Sequence, residues 1–340
     1  MTELLKPDAL ALKKAARIIK HGGVVAFPTE TVYGLGADAG NPEAIKRIFA
    51  AKGRPQDNPL IVHISSLDQL PKVIQGELPP QAMALAERFW PGPLTMILPK
   101  GDAISSECTA GLDSVGVRFP MNECAQMLIS ASGVPIAAPS ANISGRPSPT
   151  SAQHVLNDMN GKIPLILDGG ACSVGLESTV VDVRSLPVRV LRPGGVTPEM
   201  IADVLGEVEV DGSVLRPLKQ GEIARSPGMK YKHYAPKGSL TIVSGPSEAV
   251  AAKICALYDE APASKRILAL DGHVRLYGDR LVYPLGADAD TAAQRLFAAL
   301  RDMDEQGVQT IFSEAVDTSG IGLAVMNRLG RAAAFNIIEV

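Results

Sequence analysis

The sequence predicts two α/β domains in series: a first domain on a mixed, twisted sheet and a second, smaller, Rossmann-like domain on a parallel sheet. Three observations carry this reading. At 340 residues the chain is longer than one core usually organises. Short apolar runs alternate with amphipathic segments of helical period along most of its length. Between residues 208 and 236 that alternation lapses, which divides the chain into a domain at 1–207, a linker at 208–236 and a domain at 237–340.

In the first domain "DALALKKAARIIK" is amphipathic and stops at Gly22-Gly23, and "GVVAFP" is a buried strand. Asn41 and Pro42 cap and open the helix "EAIKRIFAAK". Strands follow in "PLIVHI", "PLTMILP", "SVGVRFP", "VPIAAPS", "IPLILDGG" and "STVVDV", with the helix "ECAQMLISAS" after Asn122. "STVVDVRSLPVRVLRPGG" reads as a hairpin turning at Ser185 to Pro187. Several of these strands adjoin with no helix between them, so the sheet is expected to be mixed. Beyond residue 236, "SLTIVSG", "SEAVAAKICALYDEA", "RILALDG", "TAAQRLFAALRDMDEQG", "QTIFSEAV" and "GLAVMNRLGRAAA" alternate strand and helix, the pattern of a parallel sheet covered on its faces.

Composition narrows the function. An apolar content of 46% with 20% charged residues describes a soluble globular protein, and a net charge of -3 gives no global basic field, so any anion site must be local. Cys108, Cys124, Cys172 and Cys255 are scattered without a CxxC, which reads as reduced thiols in the cytoplasm and leaves no metal site of the protein's own making. No apolar run has the length or flanks of a signal peptide or membrane span. No GxxxxGK(S/T) loop and no GxSxG elbow occur, and "GLGADAG" has the wrong glycine spacing for a dinucleotide fingerprint. Nucleotide binding, if present, must use another device.

Polar residues at strand ends supply one. "FPTETVYGLGADA" sets Thr29, Glu30, Thr31 and Tyr33 just after a buried strand, either as caps of a turn or as groups opening onto a crevice. Lys52 and Arg54 close a helix, where they either complement its carbonyl end or grip successive phosphates. Arg118 in "VGVRFP" is an arginine inside an apolar strand and demands an anion, either a structural carboxylate or one brought by a ligand. "APSANISGRPSPTSA" strings Ser140, Asn142, Ser144 and Ser148 along a path shaped by Pro and Gly, and "GLESTVVDV" and "LRPGG" add Ser178, Thr179 and Arg192. Together these describe a donor-rich, cationic site without an obvious nucleophile. His21, His154 and His273 read as surface or capping residues.

The linker is the exception to a chain only 4% aromatic: "SPGMKYKHYAP" spends Tyr231, His233 and Tyr234 beside Lys230 and Lys232. The stretch reads either as a solvated spacer or as a lid starting from Pro227-Gly228, and spacers rarely spend two tyrosines.

In their order, "FPTETVYGLGADA", "KGRPQDNPLIVHI", "WPGPLTMIL", "VGVRFP", "PSANISGRPSPT", "ESTVVDV" and "LRPGG" closely resemble the YrdC-like domain of the threonylcarbamoyl-AMP synthase family. "SPGMKYKHYAP" resembles the linker of the family's long two-domain form. The resemblance implies a YrdC/RibB-like fold and an enzyme that joins L-threonine, bicarbonate or CO2, and ATP into threonylcarbamoyl-adenylate with release of pyrophosphate. It implies Mg²⁺ arriving with ATP, a product passed to the tRNA threonylcarbamoyl-transfer machinery, weak tRNA binding as a further possibility, and no membrane partner.

Carried over position by position, the resemblance implies that Thr31, His63, Arg118, Ala138 and Ser178 hold threonine, Arg118 taking its carboxylate. Lys52, Arg54, Asn58, Ser114, Ser140, Asn142, Ser148 and Arg192 fall on the nucleotide side, with Lys52 and Arg54 offsetting phosphate charge. Tyr231 or Tyr234 would reach the nucleotide from the lid, with His233 beside them. The competing reading is a non-catalytic RNA-binding module using the same basic face, which predicts salt-dependent RNA affinity without any need for threonine. A relative acting on carbamoyl phosphate would carry acylphosphatase-like and zinc-finger modules, which are absent here.

Overall fold

The computed structural model describes residues 1–216, 234–262 and 264–340. These form two compact units, one of residues 1–144 and 148–214, the other of 145–147, 215–216 and 234–340.

The first unit runs β1 (Glu3–Leu5), α1 (Ala9–Lys20), β2 (Val25–Phe27), β3 (Gly34–Asp38), α2 (Pro42–Lys52), β4 (Ile61–His63), α3 (Leu70–Val73), α4 (Pro80–Phe89), β5 (Leu94–Pro99) and β6 (Ser114–Arg118). It continues with α5 (Glu123–Ser132), β7 (Ile136–Ala137), α6 (Ala152–Met159), β8 (Leu165–Leu167), β9 (Thr179–Asp182), β10 (Val188–Arg192), α7 (Pro198–Leu205) and β11 (Val208–Val210). All eleven strands join one mixed sheet in the order β1-β8-β2-β3-β7-β4-β6-β5-β9-β10-β11.

Local signals explain the helices. Asp8 accepts from Ala11 N at 2.8 Å to start α1, which buries Ala11, Leu12, Ala15, Ala16 and Ile19 on one stripe. Asn41 accepts from the amides of Glu43 and Ala44, Pro42 occupies the first turn, and Gly53 closes α2 in the left-handed region at φ 62°. The hairpin of β9 and β10 forms as expected. Three strands of this unit exceed the expectation, the first being β3, which folds back antiparallel on β2. The N-terminal β1 lies parallel to β8, about 160 residues away, and β11 lies parallel to β10, so the sheet continues past residue 207 into the segment read as linker. In β11 it is Val208 and Val210 that fall opposite Val188 and Val190, giving a short apolar edge to a sheet already built.

The second unit runs β12 (Ser239–Ser244), α8 (Ser247–Glu260), β13 (Lys265–Ala269), β14 (Val282–Pro284), α9 (Ala289–Glu305), β15 (Thr310–Glu314), α10 (Gly322–Ala332) and β16 (Ile337–Glu339). Its sheet, β14-β13-β15-β12-β16, is parallel throughout, as the alternation predicted. Tyr234 belongs to this unit: its ring is 5.1 Å from that of Phe297, with the Arg328 guanidinium 5.7 Å from its centroid. His273 does more than sit at the surface. Its Nδ1 lies 3.0 Å from Oε2 of the buried Glu314, whose Oε1 accepts from the Tyr277 hydroxyl at 2.5 Å. Among the described residues no helix is long and apolar enough to cross a membrane.

Candidate active site

Three neighbouring strands set the centre of the site. Pairing brings His63 of β4 beside Arg118 of β6, and Arg118 beside Thr95 of β5, so that the three lie in one row. The preceding row, Val62, Val117 and Met96, points the other way into the core. Thr95 Oγ1 lies 2.8 Å from Ser178 Oγ, which draws the start of β9 into the same row.

Arg118 is almost wholly buried and is met by a structural carboxylate: Nη2 donates to Glu30 Oε1 at 2.6 Å. Nη1 donates to Thr31 Oγ1 at 2.8 Å and Nε to the Gly92 carbonyl at 3.3 Å. The turn after β2 thus divides its labour. Thr29 caps the turn, donating to the Val32 carbonyl at 2.6 Å, and the Tyr33 hydroxyl donates to the Gly170 carbonyl at 2.7 Å, so these two are structural. Glu30 and Thr31 face the arginine.

Two buried atoms at this centre meet no partner among the described residues, Glu30 Oε2 and His63 Nδ1, and Asn58 Oδ1 is a third on the approach to β4. Buried polar atoms are nearly always paired in a finished structure, so orphans gathered at one site point to a polar ligand. Burial, helped by the Arg118 charge, pushes the His63 imidazole down to about 3, which keeps it neutral at ordinary pH. Burial likewise pushes the Cys172 thiol, electrostatically linked to Glu30 and Arg118, up to about 12, so it is no thiolate nucleophile.

Lys52 does not project into solvent from the end of α2. It is 2% exposed, and its ammonium donates to the carbonyls of Ser140 at 2.5 Å and Asn142 at 2.6 Å, while its own carbonyl accepts from Ser144 N. One cation therefore anchors the Ser140–Ser144 loop. Within that loop Ser140 Oγ donates to Asn142 Oδ1 at 2.6 Å, and Ser148 Oγ donates to Glu177 Oε1. Arg54 reaches the carbonyls of Asn58 and Pro59 at 3.3 and 3.4 Å, stiffening the path into β4. Arg192 donates through Nη2 to the Ser178 carbonyl at 2.9 Å and to its Oγ at 3.2 Å.

Ser114 opens β6 and so lies about 13 Å along the strand from Arg118 at ~3.3 Å per residue, on the side where Asn58 leads into β4. Ala138 follows β7 and donates its amide to the Ile61 carbonyl at 2.9 Å. Tyr231 and His233 lie outside the described residues. Sequence reasoning missed Thr95, Glu177 and the pairing role of Glu30. The last was foreshadowed only by the demand of Arg118 for an anion.

Known proteins resemble this chain in sequence and fold. A family model described as "Telomere recombination" matches residues 17–194, and another described as "Threonylcarbamoyl-AMP synthase, C-terminal domain" matches residues 196–334. The chain is 49% identical over 329 residues to a threonylcarbamoyl-AMP synthase of Pyrococcus abyssi, covering 97% of this chain and 96% of that one. Identity to the Bacillus subtilis enzyme of the same name is 46% over 343 residues, covering 100% and 97%. The crystal structure of a Pyrococcus abyssi protein complexed with L-threonine superposes with a TM-score of 0.94 at 47% identity, covering 100% of both chains. Nothing in these likenesses favours a non-catalytic RNA-binding module. With both domain models matched in order and near full-length identity to two such enzymes, the chain belongs to the threonylcarbamoyl-AMP synthase family.

Proposed function

We propose that this chain makes threonylcarbamoyl-AMP and pyrophosphate from L-threonine, bicarbonate or CO2, and Mg²⁺-chelated ATP. The product would feed threonylcarbamoyladenosine formation on tRNA in the cytoplasm. The observation that carries the proposal is the buried Arg118 with the orphaned atoms of Glu30 and His63 beside it, without an activated nucleophile. Arg118, Thr31, His63, Ser178 and the backbone at Ala138 form the threonine end. Lys52, Arg54, Asn58, Ser114, Ser140, Asn142, Ser148 and Arg192 form the nucleotide end. Magnesium would arrive chelated to the nucleotide.

The chemistry suits such a site. The threonine amine adds to CO2 to give a carbamate, and the carbamate oxygen attacks the α-phosphate as pyrophosphate leaves. Neither step needs a covalent enzyme intermediate; both need positioning and stabilisation of negative charge. The adenylate is prone to hydrolysis, and the segment beyond β11 acting as a lid, with Tyr231 and His233, would exclude water.

The test is pyrophosphate release from ATP with bicarbonate and Mg²⁺, with and without L-threonine. Release is expected to depend on threonine and to be lost in Arg118→Ala. Threonine-independent release, or full activity in that variant, would overturn the reading.

A further inference from the structure

Glu30 holds Arg118 with one oxygen only. Oε1 accepts from Arg118 Nη2 at 2.6 Å, while Oε2 is buried and has no donor among the described residues. The side chain of Glu30 is 3% exposed, so it is shielded from bulk solvent. A dry carboxylate oxygen without a donor is costly, because its charge is shared between both oxygens and half of it goes unanswered. Such an oxygen is suited to a cationic donor brought by a ligand.

Arg118 is complementary. Of its five N–H groups, three are accounted for by Glu30, Thr31 and Gly92, which leaves guanidinium edge for a second anion. Adjacent in register, His63 is uncharged and adds no rival cation for Glu30. An α-amino acid presents a carboxylate and an ammonium on one carbon. The buried pair presents the opposite charges side by side.

We propose that Glu30 and Arg118 act together as a receptor for a zwitterion, Arg118 taking the α-carboxylate and Glu30 Oε2 the α-ammonium. This makes Glu30 a specificity-determining residue for α-amino acids over simple hydroxy acids. The inference rests on the reading of threonine as substrate and adds a residue that the sequence assigned no ligand.

The experiment is calorimetric titration of wild type and Glu30→Gln with two probes, L-threonine and 3-hydroxybutanoate, which is threonine without its amine. Wild type should prefer threonine at least about tenfold, the scale of one charge-assisted hydrogen bond. Glu30→Gln should bring the two affinities within about threefold of each other by weakening threonine alone, and in turnover should raise KM for threonine while leaving KM for ATP unchanged. Equal weakening of both probes, or none, would overturn the inference, since a carboxylate that only steadies Arg118 affects any carboxylate ligand alike. Should the variant fail to fold, the wild-type pair decides: equal affinity for both probes sinks the proposal. Binding of 3-hydroxybutanoate but not threonine sinks it too, and binding of neither sinks the threonine reading itself.

Discussion

Lowering the pH from 7.5 to 5 should weaken the first unit by about 2 kcal/mol through His63 alone. The imidazole titrates near 6.5 in an unfolded chain and about 3 in the folded one, where burial comes first among the causes and the Arg118 charge second. Above pH 6.5 neither state binds the proton and His63 costs nothing. As the pH falls through 6.5 the unfolded state is protonated first, so stability declines and keeps declining until about 3, where the folded protein takes the proton too. At pH 5 the gap is 1.5 pH units, and RT ln(1 + 10^1.5) is about 2 kcal/mol. Urea unfolding at both pH values should be followed by the fluorescence of Trp90, the single tryptophan, which lies in the first unit and donates to the Leu94 carbonyl at 2.7 Å. In His63→Gln the acid-induced loss should shrink by the same about 2 kcal/mol. An identical loss in both proteins would refute the assignment of a buried, neutral His63.

Lys52→Met should cost about 2 to 4 kcal/mol, since it strands the inward-facing carbonyls of Ser140 and Asn142. A melting temperature unchanged within error would show that the ammonium does not anchor that loop. Gly194→Ala should destabilise by more than about 2 kcal/mol, because a Cβ there would stand 2.4 Å from Thr179 N and 2.6 Å from the Glu177 carbonyl, backbone atoms that cannot swing aside. Scanning calorimetry checks it, and a wild-type melting profile would contradict the packing described.

What the sequence reveals is largely what is local. Asn41 and Pro42 announce the start of α2 next to their own positions, and the apolar runs of β4, β5 and β6 announce themselves by composition. Arg118 in such a run announces that an anion must exist but not which one. Glu30 lies 88 residues away, and no periodicity links the two. The same holds for Lys52, whose partners are 88 and 90 residues distant: its position at a helix end suggested a cation for the helix's own carbonyls or for phosphates, and only the fold reveals the carbonyls of Ser140 and Asn142 as its partners. β1 and β11 escaped because three residues carry too little pattern and their pairing is supplied by strands far away or already in place.

The row of His63, Arg118 and Thr95 backs directly onto Val62, Val117 and Met96 in the core. Since side chains alternate with a period of two, a one-residue slip of any of these strands would exchange a polar residue for an apolar one on both faces at once. Hydrophobic packing therefore proofreads the chemistry: a misaligned site cannot form without burying an arginine or a histidine in oil. The placement of this polar row on one face is thereby delegated to valines and a methionine on the other.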